Sequence, residues 1–223
     1  LRFIGHLDVM RFFQKAIRRA HIPIAYTGGY SPHMIMSFAA PLGVGTTSKG
    51  EYFDVEFTEV ISTKEIVERL NGTMAEGMQV LSARRVEDGK ASKAMALVAA
   101  ADYYVEFREG KEPKSDWKDK ISQFLSQEEI LVTKKTKKSE KEVNIRPFIY
   151  KMELHEDKIF YMLASASANY TKPELVTDTF FQWMGEELSP FAYAVERLEV
   201  YANTGTEEKP MFVPLEALGE EVE

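Results

Sequence analysis

Leu1-Arg2-Phe3-Ile4-Gly5-His6-Leu7-Asp8-Val9-Met10-Arg11-Phe12-Phe13-Gln14-Lys15-Ala16-Ile17-Arg18-Arg19-Ala20 opens the chain and reads as a short strand, broken by Gly5 and followed by a helix. Leu7, Met10, Phe13, Ile17 and Ala20 recur at spacings of three and four, the period of a helix with one apolar face. Pro23 and Ile24 end that helix. Asp8, Arg11, Lys15 and Arg18 share another face, with Arg19 beside them. An acid in the first turn and bases in the last also complement the helix dipole.

Outward from this stretch, residues 23–27 read as extended and residues 28–32 as a loop of turn formers. Residues 34–40 form a strand, 41–50 a glycine-bearing hairpin connection, and 51–59 a half-buried strand with Phe53, Val55 and Phe57 on one side. Ser62 and Glu65 form a capping box ahead of Ile66, Val67 and Leu70. Asn71-Gly72 stops that helix, and residues 78–87 read as a strand. The order strand, helix, strand, strand, helix, strand is that of a split βαβ unit.

Residues 93–101 are rich in alanine and read as a linking helix. The pattern then restarts, with strands at 102–108, 130–135 and 158–166, an extended partner at 142–154, helices at 112–126 and 172–185, and a closing strand at 192–201. The helix at 172–185 carries Pro173 in its first turn. The expected fold is α+β: two tandem ferredoxin-like (βαββαβ) domains with antiparallel sheets. They span 1–88 and 102–203, with a linker at 89–101 and an acidic tail at 204–223 whose last residues are expected to be loose. The halves share element order without residue-level identity.

The absence of cysteine excludes disulfide scaffolds, thiolate zinc sites and cysteine-ligated clusters. No apolar run approaches the roughly 20 residues that span a bilayer, and no leader opens the chain, so a cytoplasmic protein with no membrane partner is expected. Leu1 stands where a Met would, in what reads as the tail of a strand, and the first residues are expected to be trimmed. Residues 1–50 hold Arg2, Arg11, Lys15, Arg18, Arg19 and Lys49 against Asp8 alone, a net +5 in a chain of −7, so the remainder carries −12. Such a positive island marks a place where an anion or a nucleic-acid backbone is met.

Three of the four histidines fall in the same stretch. Arg11, Lys15, Arg18 and Arg19 offer charges for phosphates. Tyr26-Thr27-Gly28-Gly29-Tyr30-Ser31-Pro32-His33 combines a backbone that a ligand can approach with two tyrosines and a histidine that can stack on a base. It lacks the spacing of a Walker or dinucleotide loop. His6, Asp8 and His33 are the candidates for acid–base catalysis or a two-histidine, one-carboxylate metal set. No metal or other cofactor is expected, since an acid at position 8 already has a structural reason at a helix start. Lys134, Lys135, Lys137, Lys138 and Lys141, with Glu140 and Glu142 among them, read as a solvated hairpin. In Asn144-Ile145-Arg146-Pro147 the proline marks an edge or bulge, and Arg146 is a further candidate ligand contact.

These residues resemble the uncharacterised radical-SAM-linked protein family, found alone or fused C-terminal to cobalamin-binding radical SAM proteins and often encoded near ribonuclease G. The resemblance rests on residues 1–8, Arg18-Arg19-Ala20, residues 26–33, Ser37-Phe38 and Pro41-Leu42-Gly43-Val44-Gly45. It continues through Glu51-Tyr52-Phe53-Asp54-Val55 and Val143-Asn144-Ile145-Arg146-Pro147. The family's loop usually reads Gly-Phe-Asn/Ser-Pro-His, and Tyr30 keeps its aromatic character. The resemblance implies an accessory to radical SAM chemistry on RNA. This chain has no Cys-x-x-x-Cys-x-x-Cys motif and does not perform that chemistry alone. The expected function is therefore a substrate-binding module, with Arg11, Lys15, Arg18, Arg19, Tyr26, Tyr30, Ser31, His33 and Arg146 on RNA. The alternatives are an enzyme using His6, Asp8 and His33, and a purely structural partner whose acidic half supplies the interface.

Overall fold

The computed structural model describes residues 3–89, 93–135 and 140–223, with the backbone alone for Lys135. Its elements are α1 (His6–Arg19), β1 (Met36–Phe38), β2 (Thr47–Ser48), β3 (Phe53–Val55), α2 (Thr63–Asn71), α3 (Ala94–Leu97), β4 (Val98–Phe107), α4 (Ile121–Leu125), β5 (Leu131–Lys135), β6 (Glu140–Asn144), β7 (Ile149–His155), β8 (Lys158–Ala164), α5 (Pro173–Trp183), β9 (Tyr193–Asn203) and β10 (Phe212–Pro214). The protein is α+β: β1–β3, β9–β10, β4–β8, β5–β6 and β7–β8 are antiparallel pairs, and β2 runs parallel to β9. The chain divides into two compact units. Unit 1 comprises Leu1–Gly45, Glu51–Val98 and Val200–Glu223; unit 2 comprises Thr46–Gly50 and Ala99–Glu199.

Unit 1 is built on the buried side of α1. Ile17 and Ala20 join Ile22, Ile24, Met34, Ile66 and Leu70 in one core, and Phe53, Val55 and Phe57 pack against it. Leu7, expected on that apolar face, is exposed because the helix has only begun there. The helix ends in a Schellman motif before Pro23 is reached: Ile22 N–H bonds Ile17 O at 3.3 Å, and His21 N–H bonds Arg18 O at 3.1 Å. His21 occupies the left-handed position at φ 51°, a place usually given to glycine. The capping box forms as expected, with Glu65 N–H on Ser62 Oγ at 3.1 Å.

Other expectations for unit 1 change. Residues 78–87 make no ladder among the described residues. Instead the Asn71 side-chain amide acts as Val80's neighbour, accepting its N–H and donating to its carbonyl, both at 2.8 Å. Leu1 and Arg2 of the expected first strand lie outside the described residues. The C-terminal segment is tied down: Arg84 pairs with Glu216 at 2.9 Å and Glu221 at 3.2 Å, and Thr63 N–H bonds Val222 O at 2.9 Å. Gly219 is required there, since a Cβ would lie 2.5 Å from Arg84 Cβ and 2.9 Å from Arg85 O. Unit 1 thus shows, among the described residues, the two-stranded β1–β3 sheet and β10 paired with Tyr201–Asn203, and the tandem ferredoxin-like repeat is not confirmed.

In unit 2 the long strands lie in the order β9-β4-β8-β7. The α4 connection passes from β4 over β8 to β7, and the α5 connection passes from β8 over β4 to β9, so each spans one intervening strand. These are the connections of a split βαβ unit. The β5–β6 hairpin is inserted in the first of them, pairing Thr133 with Glu142 and Lys134 with Lys141. Phe124, Tyr161, Val176, Phe180 and Phe181 are buried where α4 and α5 cover the sheet.

Two helix expectations shrink for tertiary reasons. Residues 98–101 join β4, pairing Ala100 with Ala164 and Ala101 with Leu163, because the packing of a buried strand overrides alanine's helix propensity. At 112–120 the Glu186 carboxylate instead takes the N–H groups of Lys114 at 2.7 Å and Ser115 at 3.0 Å, and the α-helix starts only at Ile121. Burial pushes the Glu186 pKa up, but the bonds from Ser115 and Lys114 and the Lys114 charge outweigh it and leave it below the ordinary value.

Candidate functional site

α1 presents Arg11, Lys15, Arg18 and Arg19 to solvent on the side away from its buried Ala16 and Ile17. From Arg11 to Arg18 the helix advances about 10 Å. Asp8 holds Arg11 at 3.3 Å, with both side chains exposed. Lys15, Arg18 and Arg19 form no ion pair among the described residues, so their charge is available to an outside anion.

The same unit carries the Tyr26–His33 loop as the tip of a hairpin-like pair. Tyr26 bridges Met34, Ile35 N–H bonds Ala25 O at 2.9 Å, and Thr27 N–H bonds His33 O at 2.9 Å. Thr27 closes the loop from its side chain as well: Oγ1 accepts the His33 backbone N–H at 3.1 Å and lies 3.2 Å from His33 Nδ1. Ser31 O lies 3.4 Å from the same nitrogen. Gly29, at φ +96°, supplies a left-handed turn with open space around it. The result is a clipped loop with Tyr30 fully exposed and Tyr26 at 46% exposure, while Ser31 and His33 are also exposed. Thr27 was given no role in the sequence; a polar residue at the strand end beside Gly-Gly is the only signal it offered.

His6, Asp8 and His33 have separate occupations. The His6 ring packs edge-on against Phe38 at 5.4 Å, at the margin of an aromatic group that includes Phe13 and Phe53. Asp8 is engaged with Arg11. Among the described residues no three His, Asp or Glu side chains gather in an arrangement that could hold a metal ion. Arg146 belongs to unit 2, where its Nε donates to Leu125 O at 2.8 Å and Nη1 to Ile149 O at 3.2 Å. Its guanidinium thus satisfies the end of α4 and the start of β7. Lys137 and Lys138 lie outside the described residues; Lys134 donates to Tyr170 O at 3.1 Å.

The fourth histidine, His155, carries no expectation from the sequence. Its Nδ1 meets Tyr104 OH at 3.1 Å, its Nε2 meets Glu153 at 3.1 Å, and its ring stacks on Phe160 at 4.7 Å. A crevice of about 470 Å³ in unit 2 is lined by Glu106, Glu112, Asp116, Asp157, Lys118 and Trp117 among others, a charge balance unsuited to phosphate. No helix among the described residues is long and apolar enough to cross a membrane.

A family model described as "Uncharacterized protein conserved in bacteria (DUF2344)" matches residues 1–173. The chain belongs to that family. The match takes in α1, the Tyr26–His33 loop and Arg146, so every candidate residue lies within the DUF2344 region. Comparison with curated proteins gives no match.

Proposed function

We propose that this DUF2344 protein is an accessory RNA-binding module that holds a substrate for a radical SAM protein in the bacterial cytoplasm. The observation that carries the reading is the presence, within unit 1, of three α1 cations with no ion pair among the described residues and of a clipped loop that exposes Tyr30 completely. Lys15, Arg18 and Arg19 hold phosphates, while Arg11 stays paired with Asp8. Tyr30 and Tyr26 stack on unpaired bases, a mode that tolerates any sequence, and Ser31 and His33 meet base edges. Arg146 takes no part, because backbone carbonyls already use its fork.

The radical SAM link rests on the sequence resemblance alone. An enzyme built on His6 and Asp8 has less support, since one packs on Phe38 and the other holds Arg11. The test is a pull-down of tagged protein with and without RNase, with the bound RNA sequenced and the bound protein identified. The expected outcome is a discrete RNA that is lost in the Arg18→Ala/Arg19→Ala variant, together with a radical SAM protein. Recovery of neither removes the reading.

A further inference from the structure

His33 and His155 differ in what their rings still offer. Both nitrogens of His155 are taken, by Tyr104 and Glu153. The ring contacts of His33 all fall on Nδ1. A carbonyl oxygen only accepts, so the Ser31 contact at 3.4 Å is a hydrogen bond only with the proton on Nδ1. Thr27 Oγ1, at 3.2 Å, has lone pairs enough to accept from both the His33 backbone and Nδ1. Both distances are long for a single N–H···O bond, as suits one proton shared between two acceptors. A lone pair on Nδ1 would instead face the Ser31 carbonyl and be repelled by it. These contacts favour the neutral tautomer with its proton on Nδ1, which puts the lone pair on Nε2, where no partner stands among the described residues.

We infer that Nε2 of His33 is an open acceptor that takes a hydrogen bond from an N–H on the edge of an unstacked nucleobase, making His33 a specificity-determining contact of the loop. This rests on the RNA-binding reading above. Tyr30, three residues earlier in the same clipped loop, supplies the stacking surface that such a base needs. The fixed Nδ1 sets the ring's orientation, so the acceptor is held in place before the ligand arrives.

Two substitutions separate the nitrogens. A glutamine amide reaches the place of Nε2, and an asparagine amide reaches only the place of Nδ1. The probe is a labelled mixed-sequence single-stranded RNA of about 12 nucleotides, within the usual site size. His33→Gln is expected to stay within about twofold of the parent, and His33→Asn to lose about tenfold, the worth of one hydrogen bond. The protein without RNA is examined by long-range ¹H–¹⁵N correlation, where a pyridine-type signal at Nε2 is expected. A pyridine-type signal at Nδ1, equal losses in both variants, or the reverse order overturns the inference. Absence of binding by the parent protein overturns the RNA reading and the base contact with it, while the ring measurement still reports which nitrogen is open.

Discussion

Salt dependence puts the α1 surface under the sharpest test. Lys15, Arg18 and Arg19 have no ion pair among the described residues, while Arg11 is held by Asp8 at 3.3 Å. If each unpaired cation neutralises one phosphate of a single strand, log K falls against log salt with a slope of about −2. Raising salt from about 50 to about 200 mM then weakens binding about 20-fold. Arg18→Ala/Arg19→Ala leaves one such cation, so the slope drops to about −0.7 and the same change costs about 2.5-fold. Asp8→Asn acts in the opposite sense: it frees Arg11, tightens binding at low salt and steepens the slope to about −2.8. It also removes an acid from the first turn, worth about 0.3–1 kcal/mol of helix stability, so thermal midpoints are recorded alongside. Fluorescence anisotropy of labelled RNA across a salt series reads all three slopes. A parent slope near zero, or slopes that ignore both substitutions, refutes the reasoning.

The framework gives further predictions. Asn71→Ala strips both partners from Val80 and is expected to lower stability by about 1–2 kcal/mol, read by urea denaturation; a change within error would mean water replaces the amide fully. At the end of α1, His21→Gly relieves the left-handed conformation and raises stability by up to about 1 kcal/mol, whereas His21→Val lowers it by about 1–2 kcal/mol; equal effects would discount the φ 51° assignment. Glu186 has a lowered folded pKa, so its stabilisation is present above the unfolded value of 4.5 and is lost as pH falls through the folded one. The midpoint difference between the parent and Glu186→Gln should therefore be largest near neutrality and close on acidification, and a gap that does not vary with pH would contradict it.

What the sequence revealed and what it hid divide by range. The Ser62–Glu65 capping box, Pro173 at the start of α5 and the face shared by Phe53, Val55 and Phe57 depend on neighbours a few residues away, and they were legible. The pairing of Thr47 and Ser48 with Glu196 and Arg197 joins chain segments that no local pattern relates. Gly50 looked like one more loop glycine, yet a Cβ there would sit 2.4 Å from Leu198 O. Residues 98–101 carried a helix-forming composition, and only the facing residues of β8 make them a strand. The same division holds at the site. The charges of α1 were readable because a helix displays its own period, but the occupation of Arg146 depends on Leu125 and Ile149.

The histidines show why a dense patch in sequence need not be a cluster in space. Three fall within the first 33 residues, and two of them, His6 and His33, read as candidates for one chemistry with Asp8. Their physical duties differ. His6 supplies a ring for Phe38, and His21 supplies a backbone conformation that ends α1, with its carbonyl taking Arg69 at 3.2 Å. His33 has one nitrogen fixed by its loop and the other open. Replacing His6 or His21 should therefore act through stability, and replacing His33 through binding with the fold intact. If all three variants lost RNA binding at unchanged thermal midpoints, a shared chemistry would have to be reinstated. If only the His33 variants did, recognition would lie in the loop, with α1 as its electrostatic support.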